Sequence, residues 1–425
     1  MKEFLLKLPQ EIKDLLHRAQ EVALHLEMPV YLVGGCVRDL FLGAKNLDLD
    51  IAVEGDGIKF AEEFNKGSKA KLIRHRKFGT ATLVIRHQLK LDIATSRRET
   101  YPEPACLPEV SPSNLKDDLK RRDFTLNALA LSLRRQDFGR LIDYFGAVDD
   151  LKQKKIRILH VLSFIDDPTR ILRAVRFEQR YSFKIEAVTL KAIKEAVRLK
   201  MLQKVQPQRL RDELILMLKE KEPIKEIRRL QALAGFKFIS QRLCLNGKVY
   251  SFLRAIEKEI KGFSLKHPRN RPLDRWLMYF MGLVNALPVE ETRLICRKFA
   301  FRKGEEKRIL ALKKISPVFL KKLSSCAERP SVVFSLLEPL SYETILLLKA
   351  GCRNRYLQRH ISEFLELYNG TRIHLRGEDL RRLGLQPGPR YQKIFAKVLA
   401  AKLDGAVKDK AEELTLARKL LNSYY

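Results

Sequence analysis

Two aspartates with one residue between them, Asp48 and Asp50, close the stretch Tyr31 to Val53, Y-L-V-G-G-C-V-R-D-L-F-L-G-A-K-N-L-D-L-D-I-A-V. In an extended run beginning at Leu47, period-2 alternation puts both carboxylates on one face and Leu49, Ile51 and Val53 on the other. Oxygen ligands at that spacing suit a hard divalent ion such as Mg2+, which takes few protein ligands and completes its shell with water and phosphate. Asp48 and Asp50 are therefore candidate metal ligands and catalytic groups. Upstream, Gly34 and Gly35 carry no side chains, so backbone N-H groups at a helix start can approach a phosphate, and Arg38 lies within reach of the same anion. Taken singly, a Gly-Gly is a tight turn and an Asp-x-Asp a solvated strand edge. Their order along one stretch is what joins them into a site.

The elements that must position these groups follow from the apolar pattern. Val30 to Val33 is an apolar run that breaks at Gly34, and an amphipathic turn spans Val37 to Leu42. Residues 9–26 have a helical period, and a short helix is expected from Ile58 to Phe64. Extended runs at Ala70–Arg74, Thr80–Arg86 and Leu89–Ala94 complete a five-stranded mixed sheet with helices packed on it, an α+β head. In the last run Lys90, Asp92 and Ala94 share a face, so Asp92 is either a third catalytic carboxylate or a surface aspartate on an edge strand. Strand, Gly-Gly, helix with Arg, then strand with Asp-x-Asp resembles the signature of polymerase-beta-type nucleotidyltransferases. The fuller string G-G-x-V-R-D-x-x-L-G followed by D-x-D resembles the first motif of class II tRNA nucleotidyltransferases and bacterial poly(A) polymerases.

That resemblance assigns roles further along. Thr95 to Asn114, T-S-R-R-E-T-Y-P-E-P-A-C-L-P-E-V-S-P-S-N, has four prolines in eleven residues, which excludes a helix or central strand and makes a loop long enough to move. It resembles the mobile loop that the family needs to add the terminal adenosine. In D-D-L-K-R-R-D-F-T-L-N-A-L-A, from Asp117, the residues Arg122, Asp123 and Asn127 can meet at one end of a helix. Alone they read as a salt-bridged helix start; by resemblance to the family's ribose-reading motif, the guanidinium takes a phosphate while Asp123 and Asn127 take ribose hydroxyls. Asp143 to Arg157 resembles the segment that links head to neck.

In I-D-D-P-T-R-I-L-R-A-V-R-F, Ile165 to Phe177, an Asp N-cap and a Pro at the first helical position give a good helix start. Arg170, Arg173 and Arg176 then form a basic stripe. An Asp and an Arg one turn apart can also read a base edge, the carboxylate accepting from an exocyclic amine and the guanidinium donating to the adjacent ring nitrogen. Cytosine and adenine offer that edge; uracil and guanine do not. The segment resembles the amino-acid template E-D-x-x-R of class II CCA-adding enzymes, which places Asp167 and Arg170 in the nucleotide site, with Asp166 where the family has Glu.

Composition fits a polyanionic partner: 83 Lys+Arg against 51 Asp+Glu, a formal charge of +32 and a pI near 9.9, over 425 residues of which 45% are hydrophobic. Charge does not by itself choose between RNA, DNA and an anionic membrane. No apolar stretch is long enough for a span, no export signal is found at the N-terminus, and the six cysteines form no C-x-x-C pair, so a cytoplasmic chain with reduced thiols is expected, without membrane or DNA as partners. Beyond about residue 180 the pattern is helical, with segments at 186–199, 205–220, 223–234 and 271–285 and a turn L-G-L-Q-P-G-P near the end. The expected division is a nucleotidyltransferase head at 1–160, a base-reading neck at 161–235, a helical body at 236–325 and a tRNA-binding tail at 326–425. The resemblance implies an enzyme that adds CCA to the 3' end of tRNA from CTP and ATP with Mg2+. Addition of the terminal A alone comes second, poly(A) synthesis third and a catalytically silent RNA-binding protein fourth. Against poly(A) synthesis, His75 to Leu83, H-R-K-F-G-T-A-T-L, lacks the R-R-F-x-L-x-H string expected there.

Overall fold

The computed structural model describes residues 8–43, 48–68, 70–85, 89–267, 271–325 and 328–422; Leu47 and Arg86, the expected ends of two strands, and Cys326 lie outside them. The chain divides into two compact units, one ending at Phe238 and the other beginning at Ile239.

The first unit opens with helix α1, Gln10–His25, whose buried residues Ile12, Leu16, Ala19 and Ala23 recur at helical spacing. Strand β1 is Val30–Val33, helix α2 Gly35–Phe41, and strand β2 Leu49–Val53. Helix α3, Gly57–Asn65, is capped by Asp56, whose side chain accepts from the amides of Ile58 and Lys59. Strands β3 Lys71–His75, β4 Thr80–Val84 and β5 Lys90–Thr95 follow. Next come β6 Arg97–Thr100, β7 Glu109–Pro112, helix α4 Leu115–Lys120, and strands β8 Leu129–Ser132 and β9 Leu141–Asp143. The main sheet runs β3-β4-β5-β2-β1-β8-β9, with β2 antiparallel to β1 and parallel to β5.

Alternation along β2 sets what each sheet face does. Leu49, Ile51 and Val53 are buried with Leu32, Leu83, Leu91 and Ile93 on the face that α3 covers. On the other face Tyr31, Val33, Ala52 and Ala130 pack with Leu115 and Leu119 of α4. That second cluster stops short of Asp50 and Asp92, which leaves polar groups facing a cleft.

Three expectations change. The sheet has seven strands where five were expected; the two extra ones are short, and β8, L-A-L-S, is buried at all four positions, so it shows no alternation to read. The Pro-rich segment is a two-stranded antiparallel ribbon, β6 with β7, in register Arg97↔Pro112. Its prolines at 102, 104 and 108 lie in the turn, and Pro112 closes the last pair, the position a ribbon end tolerates. Arg122 and Asp123 follow the end of α4, and Asn127 ends a separate 3-10 turn, Thr125–Asn127, so no single helix carries all three.

After Asp143 the chain forms α5, Ala147–Lys152, and β10, Lys155–Ile156. Helices α6, Ser163–Asp166, and α7, Arg170–Tyr181, follow, with Ile171, Leu172, Ala174, Val175 and Phe177 of α7 buried. A two-residue strand β11, Lys184–Ile185, pairs parallel with β10, a strand beyond residue 180 that the sequence did not reveal. Helices α8 Ala187–Arg198, α9 Pro207–Lys219 and α10 Pro223–Leu233 complete the unit, the last two started by Pro, whose missing N-H costs nothing there.

The second unit is helical throughout its described residues. One cluster packs Val333, Leu337, Ile345 and Leu348 with Leu357, Ile361 and Phe364; another packs Leu380, Ile394, Val398 and Ala417. Among the described residues no single helix is long and apolar enough to cross a membrane; the apolar pair Pro330–Leu337 and Tyr342–Gly351 is bent by 113° and contributes to the first cluster.

Candidate active site

The parallel pairing of β2 with β5 places Asp50 and Asp92 side by side. Asp48 is exposed, one residue before β2, so all three expected carboxylates lie along one edge of the same face. Burial, with Asp92 and Asp48 adding to it, pushes the Asp50 carboxyl up to about 6 against the pull of Arg122 and Arg38. Asp92 Oδ1 accepts from Thr82 Oγ1 at 2.5 Å.

Gly34 has φ +71° and a Cβ there would fall on the Arg122 guanidinium, so this turn accepts only glycine if Arg122 is to lie across it. Arg122 is held by Asp118 at 2.9 Å, and Asp118 also pairs with Arg121 at 2.7 Å. Gly35 starts α2, where a Cβ would sit 3.3 Å from Arg38 Nη2. Buried Arg38 donates to Asn127 Oδ1 and, at 2.8 Å, to Asp39; its guanidinium carbon lies 4.9 Å from the Tyr181 ring centroid and 5.4 Å from that of Phe177.

Asp123 is the hub behind these groups. Its Oδ1 accepts from Phe124 N and Asn127 Nδ2, both at 2.8 Å, and its Oδ2 takes Arg173 Nε and Nη2 at 2.8 and 2.7 Å. Burial works against its ionisation, yet the Arg173 guanidinium and the Asn127 amide outweigh that and bring its pKa down to about 2. With four hydrogen bonds its lone pairs are filled, so a ribose hydroxyl can reach this carboxylate only by displacing Arg173 or Asn127. Arg173 continues to Glu213 at 3.0 Å, and Glu213 to Arg176 at 3.2 Å, which ties the site to α9.

The expected Asp N-cap and Pro start fall just outside α7, which begins at Arg170 after Thr169; Asp167 instead closes the turn that leads in, Oδ1 accepting from Thr169 N at 3.1 Å and Thr169 Oγ1 at 2.6 Å. Its Oδ2 pairs with Arg209 of α9 at 2.8 Å. Buried Arg170 donates to Ser163 Oγ at 2.7 Å and to the Arg121 carbonyl at 2.8 Å. Asp167 and Arg170 are thus oriented by different side-chain partners and not by each other, and both line one cleft. The hydrogen bonds that hold the Arg170 guanidinium come from Ser163 and Arg121. Asp166, which stands where the family has Glu, lies 3.7 Å from His160, a neutral ring whose pKa burial, with help from Arg170 and Lys120, lowers to about 4.

One cleft of about 570 Å3 is lined by Gly35, Arg38, Asp50, Arg122, Asp123, Asn127, Asp167, Arg170 and Arg173. Gly34, Asp48 and Asp92 are not among its lining residues; Asp92 faces a second cavity that shares Asp50 and Arg122 with the first. Sequence reasoning missed Arg209, Arg121, Glu99 and Tyr101 in the cleft. Arg121 is the first Arg of R-R-D and was within reach; Arg209 has no local signal, since its role depends on a partner forty-two residues earlier. Asp92 and Asp48 both disfavour ionisation of Asp50, a repulsion that a divalent cation bound beside Asp50 would relieve. Among the described residues no three Asp, Glu, His or Cys side chains form a group that could hold a metal ion by themselves.

A sheet with adjoining carboxylates, a glycine turn under an arginine and a cationic cleft closed by a helical neck define a nucleotidyltransferase-type site. Residues 30–157 match the family described as Poly A polymerase head domain, and residues 182–240 the one described as probable RNA and SrmB-binding site of polymerase A. The chain is 39% identical over 98% of its length to the A-adding tRNA nucleotidyltransferase of Geobacter sulfurreducens, and spans 48% of that protein. It is 31% identical to the A-adding tRNA nucleotidyltransferase of Halalkalibacterium halodurans, over 96% of this chain and 92% of the relative. The Thermotoga maritima CCA-adding enzyme, solved in complex with tRNA, superposes with a TM-score of 0.74 at 35% identity, covering 99% of this chain and 98% of that one. The chain belongs to the class II tRNA nucleotidyltransferase family.

Proposed function

We propose that the chain transfers adenosine monophosphate from ATP to the 3' end of tRNA ending in CC without a nucleic-acid template. The observation that carries this is the joining, in one cleft, of Asp50 at one end and of the separately anchored Asp167 and Arg170 at the other. Asp167 accepts from the exocyclic amine of adenine or cytosine and Arg170 donates to the adjacent ring nitrogen. Guanine and uracil present a carbonyl beside a ring N-H, which sets acceptor against acceptor and donor against donor.

Arg38, Arg122 and the backbone at Gly34–Gly35 take the triphosphate, while Asn127 and the Asp123–Arg173 hub fix the ribose end. The acceptor O3' attacks the α-phosphorus, the bond to the β-phosphate oxygen breaks, and pyrophosphate leaves; most of the catalysis is positioning and charge stabilisation. Asp48 and Asp50, with Asp92 beside them, would hold Mg2+, which supplies Lewis-acid stabilisation of the charge on the transferring and departing oxygens. The names of the Geobacter and Halalkalibacterium relatives support the A-adding reading. The presence of the ribbon Arg97–Pro112 also supports it, because it resembles the element the family uses for the A step. Full CCA addition is the second reading, favoured by the name of the Thermotoga enzyme. We assign residues 1–160 to the head, 161–235 to the base-reading neck, 236–325 to the body and 326–425 to a tRNA-binding tail, with the surplus of +32 charges serving RNA phosphates in the cytoplasm.

The test is to offer tRNA ending in CC with each nucleoside triphosphate singly and Mg2+. One AMP added, with GTP and UTP inert, supports the reading; equal use of all four, or no transfer, overturns it.

A further inference from the structure

Asp92 stands between two neighbours on the sheet: Asp50 of β2 on one side and Thr82 of β4, its register partner, on the other. The 2.5 Å hydrogen bond from Thr82 engages Oδ1, and Oδ2 has no hydrogen-bond partner among the described residues. A hydroxyl-to-carboxylate bond is a strong one, and the β-branched threonine that donates it is stiff about χ1. A carboxylate held at one oxygen presents the other in one direction.

In front of it is a cavity of about 300 Å3 lined by Asp50, Asp92, Thr80, Thr82, Arg121 and Arg122. The larger cleft contains the base-reading groups and is where the incoming nucleotide goes; the smaller one adjoins the same Asp50 from the β4–β5 side. An attacking hydroxyl has to come in line with the leaving oxygen, on the far side of the phosphorus. Its space is therefore separate from that of the triphosphate. We propose that Thr82 is a positioning residue for nucleotidyl transfer: by holding Oδ1 of Asp92 it aims Oδ2 at the smaller cavity, where Oδ2 accepts a hydrogen bond from the terminal 3'-hydroxyl of the acceptor RNA. This rests on the reading of the chain as a nucleotidyltransferase.

The test compares two tRNAs ending in CC, one with a 3'-hydroxyl and one 3'-deoxy, for binding in the absence of nucleotide to the wild-type chain, Thr82→Val and Thr82→Ser. Valine keeps the volume and the β-branch and removes the donor; serine restores it. The wild type binds the 3'-hydroxyl end about tenfold more tightly, the order expected for a hydrogen bond to a charged acceptor. Thr82→Val loses the preference and Thr82→Ser regains it, with unfolding curves unchanged. In turnover, Thr82→Val lowers kcat about 10–100-fold, as loss of a ligand's supporting hydrogen bond does, and leaves KM for ATP in place. A wild type without the preference, or a Thr82→Val variant that keeps it, overturns the proposal. A wild type that prefers the hydroxyl but transfers nothing supports this assignment and overturns the reaction instead.

Discussion

Glu226, on α10, is 2% exposed, and its Oε2 has no hydrogen-bond partner among the described residues. Burial, with Glu220 adding to it, pushes its carboxyl up to about 9 from the ordinary 4.5, against the pull of Arg176 and Arg180. In the unfolded chain the group ionises near 4.5, so between pH 4.5 and 9 the folded state binds the extra proton. Stability therefore falls as pH rises through that window. At about 1.4 kcal/mol per pH unit, the step from pH 5 to pH 7.5 costs the folded state about 3 kcal/mol. Glu226→Gln keeps the shape and removes the titration. The assay is denaturant unfolding of both proteins at the two pH values, followed by far-UV circular dichroism or by hydrogen exchange in α10; Trp276, the one tryptophan, belongs to the other unit. Relative to the wild type, the glutamine variant should gain about 3 kcal/mol on going from pH 5 to 7.5. Parallel pH profiles would refute the reasoning that Glu226 is buried as the neutral acid.

Asp48→Ala and Asp50→Ala should each abolish transfer in a single-turnover assay while tRNA binding and melting stay near wild type, since neither carboxylate supports the core. Arg209→Met should lower discrimination of ATP over GTP about 10–100-fold, the range for a charged hydrogen bond lost from Asp167, with Asp167→Ala losing at least as much; the check is the ratio of incorporation rates.

What the sequence disclosed, and what it hid, follows the range of the interactions. Alternation in β2 and the glycine turn before α2 are set by residues within a few positions of one another, and both stand where they were expected. Strand β8 was hidden because burial on both faces erases alternation, and the ribbon was hidden because its prolines, read as breakers of a strand, fall in its turn and at its end. The roles of individual side chains were the least legible. Asp123, a ribose ligand by resemblance, is filled by Arg173, fifty residues on, and nothing near Arg209 announces Asp167. Thr82 likewise reads as an ordinary strand residue until β4 and β5 are paired.

The most direct test of the proposed reaction is product sequencing after incubating the purified chain with tRNA ending at the discriminator base and, separately, with tRNA ending in CC, each with CTP, ATP or both. A single A on the CC-ending tRNA and no extension of the shorter one are the expected products. Addition of all three nucleotides to the shorter substrate would replace terminal A addition with full CCA synthesis, and long A tails, or U and G in the products, would contradict selection by Asp167 and Arg170.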